Sequence, residues 1–128
     1  MELFAIGEKQ KKDGEYVEYY ENGQISCKGN YKNGELEGTL KRFNDNGKIE
    51  QEENYKNGKL DGLMTTYDEN GEIILHSNYK NGELDGEFIQ YPINGNNLGH
   101  LNFRNGKMDG ESITYFHDGN IQVKGNYN

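Results

Sequence analysis

The phrase Asn-Tyr-Lys-Asn-Gly at residues 30–34 returns at 54–58 and 78–82, and a looser copy, Asn-Phe-Arg-Asn-Gly, stands at 102–106. Successive copies are 24 residues apart. A fixed period of this length means one small structural unit stacked on itself, and it constrains the fold more than any other feature of the chain. One step back gives a degenerate unit starting near residue 6, and one step forward gives a stub at 126–128. The sequence therefore reads as a single domain, residues 1–128, with repeats starting near 6, 30, 54, 78 and 102.

Positions are counted from the Asn that opens each repeat. Position 2 is aromatic (Tyr31, Tyr55, Tyr79, Phe103, Tyr127) and position 7 is apolar (Leu36, Leu60, Leu84, Met108). Position 14 is aromatic (Tyr19, Phe43, Tyr67, Tyr91, Tyr115), and position 20 is Ile25, Ile49, Ile73 and Ile121, with Asn97 as the exception. Each repeat has two turn signals, such as Asn33-Gly34 and Asn46-Gly47. Asn and Gly tolerate the positive φ that tight hairpins need. No helical period runs between them. Two turns per repeat mean two antiparallel strands per repeat.

The expected fold is all-β: an elongated antiparallel hairpin meander in a single twisted layer. About ten strands at roughly 4.8 Å each give a row on the order of 45–50 Å long. A two-residue turn at positions 4 and 5 sets Tyr31 opposite Leu36, Tyr55 opposite Leu60, Tyr79 opposite Leu84 and Phe103 opposite Met108. A three-residue loop at 16–18 sets Tyr19 opposite Ile25, Phe43 opposite Ile49, Tyr67 opposite Ile73 and Tyr115 opposite Ile121. Positions 7 and 14 differ by an odd number, so one extra residue is required. The Gly at position 9 supplies it as a bulge. Strand alternation then puts positions 20, 22, 24 and the following position 2 on one face. Tyr67 would be central to a buried aromatic column, and Tyr67→Ala would cost roughly 3 kcal/mol or more.

The net charge of −8 speaks against nucleic acid and makes anionic lipid an unfavourable partner, since both reward clustered Lys and Arg. It favours a neutral or basic partner, and a basic protein is the one carried forward. The one cysteine, Cys27, forms no internal disulfide, and the opening residues hold too short an apolar run for a leader. A cytoplasmic location is the corresponding expectation.

The run Tyr-Tyr-Glu-Asn-Gly-Gln-Ile-Ser-Cys-Lys-Gly-Asn-Tyr-Lys-Asn-Gly-Glu-Leu-Glu-Gly, residues 19–38, resembles the MORN repeat family in its bacterial variant form, and the likeness extends over residues 15–127. The resemblance implies a hairpin meander that binds or scaffolds without catalysis. It also implies, for some bacterial members, antitoxin or immunity components that neutralise a partner toxin. The family brings no catalytic residues and no cofactor. The fourth repeat departs from the pattern at Pro92 and Asn97, which puts regular pairing there in question.

The candidate partner-binding residues fall in two sets. Position 8 is acidic throughout, and Glu37, Asp61 and Asp85 in the middle repeats would form an acidic ladder for a basic partner such as a toxin. The competing reading is turn chemistry, since an acid before Gly suits a bulge. Tyr55, Tyr67 and Tyr79 are the second set: a single layer has nothing to cover its aromatics, and an exposed apolar patch usually marks a partner. No nucleophile–base pair, phosphate loop or metal-ligand spacing is present. His76 and His100, both at position 23, would lie roughly 9–10 Å apart, too far to share a metal. The alternatives to a protein-binding module are a structural or surface scaffold and a membrane-associated MORN module, the latter disfavoured by charge.

Overall fold

The structure, a computed structural model, describes residues 13–91, 99–115 and 121–127. Among them there is no helix. The strands are β1 (Gly14–Tyr19), β2 (Ile25–Lys32), β3 (Glu35–Leu36), β4 (Gly38–Phe43), β5 (Ile49–Lys56), β6 (Lys59–Leu60) and β7 (Gly62–Tyr67). There follow β8 (Ile73–Lys80), β9 (Glu83–Gln90), β10 (Gly99–Arg104), β11 (Lys107–Met108), β12 (Gly110–Tyr115) and β13 (Ile121–Tyr127). All join one antiparallel sheet in the order β1-β2-β4-β5-β7-β8-β9-β10-β12-β13, with β3, β6 and β11 as short hairpin returns on β2, β5 and β10. Residues 92–98, with Pro92 and Asn97, lie outside the described residues, yet β9 pairs with both β8 and β10, with β8 through the same register shift seen in the other repeats.

The turns take the conformations their residues demand. Asn33 and Gly34 both have positive φ, 54° and 81°, and the other three short turns repeat this, as the favoured two-residue hairpin requires. In the long turns the Gly23 N–H donates to Tyr20 O at 3.0 Å and the Tyr20 N–H donates to Gln24 O at 2.8 Å. This closes a three-residue loop on a left-handed Gly23, and the loops at 44–48 and 68–72 repeat it.

All eight facing pairs expected from the turns are present. The ladder does break at the position-9 Gly, but by two residues rather than the expected one: Ser77 faces Phe88 and Tyr79 faces Leu84, so Asp85, Gly86 and Glu87 stand against Asn78 alone. Two extra residues keep the alternation, and positions 7 and 14 fall on opposite faces rather than sharing one. Gly38, at φ 84°, begins β4 and stands opposite Tyr55, and Gly62 and Gly86 stand in the same way opposite Tyr79 and Phe103. The Asn at position 1 closes this break. Asn54 O accepts the Asp61 N–H at 2.8 Å while its Nδ2 donates to Leu63 O, also at 2.8 Å. Asn78 and Asn102 make the same side-chain bond to Glu87 O and Glu111 O. These bonds are exposed, and a hydrogen bond of this kind contributes about 1 kcal/mol at most. Asn78→Ala is therefore expected to lower the unfolding free energy by up to about 1 kcal/mol in urea, with Lys80→Ala on the adjoining exposed turn staying within about 0.5 kcal/mol.

A second break, a one-residue bulge, corrects the expected face assignment. Glu18 stands opposite Cys27 but Tyr19 opposite Ile25, so Ser26 is an extra residue. Glu50, Ile74 and Gln122 are extra in the same way. Facing residues share a side of the sheet, and neighbours on a strand do not. Position 20 therefore follows position 14 to one face, while positions 22, 24 and 2 lie on the other. The expectation that 20, 22, 24 and 2 share a face fails because a three-residue loop pairing 14 with 20 leaves one residue unmatched.

The core is a row across the second of these faces, called here the closed face. Gly29, Leu40, Glu53, Met64, Ser77 and Phe88 follow one another across successive strands. Leu40 is 2% exposed, Glu53 4% and Ser77 0%, and Cys27 on the neighbouring row is 4% exposed. A single layer buries these by setting large beside small. Leu40 lies over Gly29 so closely that a Cβ there would meet Leu40 Cδ1 at 2.5 Å. Ser77 is covered between Met64 and Phe88, and its hydroxyl has no partner among the described residues.

Candidate protein-binding surface

Among the described residues, the large hydrophobic side chains that stay exposed lie on the opposite, open face: Tyr19 at 42%, Ile73 at 41% and Leu63 at 37%. Tyr19 and Ile73 belong to the row of position-14 aromatics and position-20 isoleucines, which runs directly beside the long turns. Ile25, Phe43, Ile49 and Tyr67 on the same row are half-buried. The Tyr67 hydroxyl donates to Glu52 Oε1 at 2.6 Å, which anchors the ring while leaving its face available. Open depressions lie between consecutive long turns, one lined by Ile25, Phe43 and Gly47 and the next by Ile49, Asn70 and Gly71. Thr65 is the buried exception on this face.

The sequence-derived candidates are dispersed by this geometry. Tyr67 is on the open face, but Tyr55 and Tyr79 are on the closed one, facing Leu60 and Leu84. The Tyr55 hydroxyl is committed to Glu53 Oε1 at 2.6 Å. Glu37 and Asp85 each reach along the short-turn edge to the next repeat. Glu37 Oε1 accepts the Asn57 N–H at 3.1 Å, and Asp85 Oδ1 accepts the Asn105 N–H at 3.4 Å. Asp13 does the same for Asn33. Asp61 is half-buried at the equivalent place. These acids thus tie successive hairpins together, a role the strict spacing at position 8 contained but did not reveal.

Charge separates the two edges of the sheet. The short turns at 32–37, 56–61, 80–85 and 104–109 hold six cations and six carboxylates. The described long turns, 20–24, 44–48 and 68–72, hold Glu21, Asp45, Asp68, Glu69 and Glu72 against Lys48 alone. Asp68 closes its own turn, accepting the Asn70 and Glu72 N–H groups at 2.8 and 2.9 Å. Glu69 and Glu72 are exposed.

The closed face holds a polar cluster that sequence reasoning missed. Glu53 accepts from Tyr55, from Arg42 Nε at 3.1 Å and from Gln51. Burial alone would raise its pKa, but the Tyr55 hydroxyl, the Arg42 guanidinium and the Gln51 amide outweigh it and hold the carboxyl below its ordinary value. Burial and the Glu53 carboxylate together push Tyr55 up to about 12. Burial also raises the Cys27 thiol, which disfavours the thiolate. None of these groups is paired as nucleophile and base. His76 and His100 are separated by a strand, each standing opposite Ile89, and His117 lies outside the described residues.

The MORN repeat variant model matches residues 12–33, 36–57, 60–81 and 108–128, well over half of the chain. The chain belongs to the MORN repeat variant family. The interval between the third and fourth matches contains Pro92 and Asn97, the positions at which the repeat loses its pattern. A search of curated proteins finds no match. MORN repeats are generally binding or scaffold modules and are not a known enzyme family. The exposed face and the two unlike edges of this MORN sheet are thus the features on which a function rests.

Proposed function

We propose that this MORN chain is a non-catalytic protein-binding module that occupies a basic protein, in the manner of an antitoxin or immunity component acting in the cytoplasm. One observation carries the proposal: among the described residues, the exposed large hydrophobics all lie on one face of the sheet. A free MORN sheet leaves that apolar surface in water, and a partner that covers it gains the transfer free energy. The net charge of −8 selects a partner of opposite sign and accelerates its approach. Glu37, Asp61, Asp85 and Tyr67 belong to this proposal as contact candidates, and Tyr55 and Tyr79 as candidates on the closed face.

The test is affinity capture from the native source with the full chain, followed by reconstitution of the captured protein with it. A basic protein bound in fixed stoichiometry, and inhibited when bound, is expected. Capture of no stoichiometric partner would sink the proposal. Asp61→Lys/Asp85→Lys divides the two roles of the short-turn acids. If they steer the partner, association slows and loses salt dependence. If they act only as ties between hairpins, melting falls while association is unchanged.

A further inference from the structure

We infer that the long-turn side of the open face docks a basic amphipathic helix of a partner protein, laid across the strands. The helix sets apolar side chains on the Tyr–Ile row and cations against the acidic long turns. This deepens the protein-binding reading above and rests on it.

Apolar and acidic features form one continuous strip. Tyr67 is followed at once by Asp68 and Glu69, and Glu72 is followed at once by Ile73. A ligand lying on the exposed Ile73 side chain therefore has carboxylates at its flank. The opposite edge offers no such complement, since its charges balance. A second copy of this chain would bring acidic rim against acidic rim if it docked face to face on the same row, and like charges brought together cost free energy. A basic partner gains where a second copy loses.

Spacing selects the helix. Corresponding side chains in neighbouring repeats are two strands apart, roughly 9.6 Å. A helix returns to the same face after two turns, about 10.5 Å along its axis. An extended strand returns to the same face after about 6.8 Å, so it meets the row only at every second repeat, whereas a helix meets it at each one. The depressions between consecutive long turns, at Ile25–Gly47 and Ile49–Gly71, recur with the repeat and give successive apolar side chains a place to seat.

The probe is a synthetic helix of about 28 residues, long enough for three to four repeats, with a Leu stripe flanked by Lys. Two controls replace the Leu stripe with Ser or the Lys with Glu. Fluorescence anisotropy against the full chain should show the Leu/Lys helix binding at least about tenfold more tightly than either control, and more weakly as salt rises. Glu69→Lys/Glu72→Lys, on exposed side chains, should weaken it about tenfold and flatten the salt dependence. Glu83→Lys on the short-turn edge should change it less than about twofold. Equal binding of the Ser-stripe helix, equal loss at Glu83→Lys, or no binding of the Leu/Lys helix would each overturn the inference. A captured native partner that ignores Glu69→Lys/Glu72→Lys would overturn it while leaving the protein-binding reading intact.

Discussion

Leu40→Ala is expected to lower the unfolding free energy by about 3 kcal/mol, whereas Tyr67→Ala, although it deletes more atoms, lowers it by about 1 kcal/mol. Leu40 is 2% exposed and covers Gly29 on one strand and faces Glu53 on the next. Removing its isobutyl group leaves a cavity that Gly29 has no side chain to fill, and it admits water to the Glu53 cluster. Tyr67 is half-buried on the open face, with one hydroxyl bond to Glu52 as its specific contact. This reverses the expectation that Tyr67 sits at the centre of a buried column. Urea unfolding of the two variants checks the assignment of faces directly. Losses of equal size would show that the open-face row is as much a core as the closed one.

Arg42→Ala is expected to cost about 2–3 kcal/mol at neutral pH. Breaking a fully buried ion pair costs about 3–5 kcal/mol, and the figure is reduced here because the Arg42 side chain is 48% exposed. The cost arises from Glu53, whose side chain is 6% exposed and which would keep its charge without its cation. The pH dependence supplies the sign. The folded-state pKa of Glu53 is held below its unfolded value, so its contribution is complete above the ordinary carboxylate range, near about 4.3, and fades as pH falls through the folded value. The difference between wild type and Arg42→Ala should therefore narrow on acidification. Tyr55 works in the opposite direction. Its folded pKa of about 12 exceeds the ordinary tyrosine value, so stability is complete below about pH 10 and is lost between there and about pH 12. Urea midpoints at neutral, acid and alkaline pH for both proteins read all three effects. A pH-independent gap would show that Glu53 is not the origin of the loss.

Local chemistry was legible wherever a residue's role depended on its own backbone. Asn-Gly pairs announce two-residue turns because few other pairs accept positive φ at both places. The Gly at position 9 announces a break in the ladder because it accepts the positive φ that such a break needs, although the parity argument from positions 7 and 14 fails, since they lie on opposite faces. From these the strand count, antiparallel order and eight facing pairs follow. The buried row was half legible: its members at position 11, Leu40, Met64 and Phe88, are all apolar, whereas Gly29, Glu53 and Ser77 at position 24 share no chemical type. The two sets are complementary to one another in size, across strands, and only adjacent strands reveal it.

The sequence by itself determined the period, the turns, the register and the acidity, because each is a property of a residue with its own backbone or of a sum of charges. The tertiary structure alone decided the faces. A one-residue bulge after the long turn inverts everything beyond it, since strand side chains alternate with period two. That single shift sends Tyr55 and Tyr79 to one side and Tyr67 to the other. It also sets the exposed Tyr–Ile row beside the acidic long turns, and places the position-8 acids on the far edge as ties between hairpins. Which apolar residues are core and which are surface depends on that parity, and parity is fixed only when two strands meet.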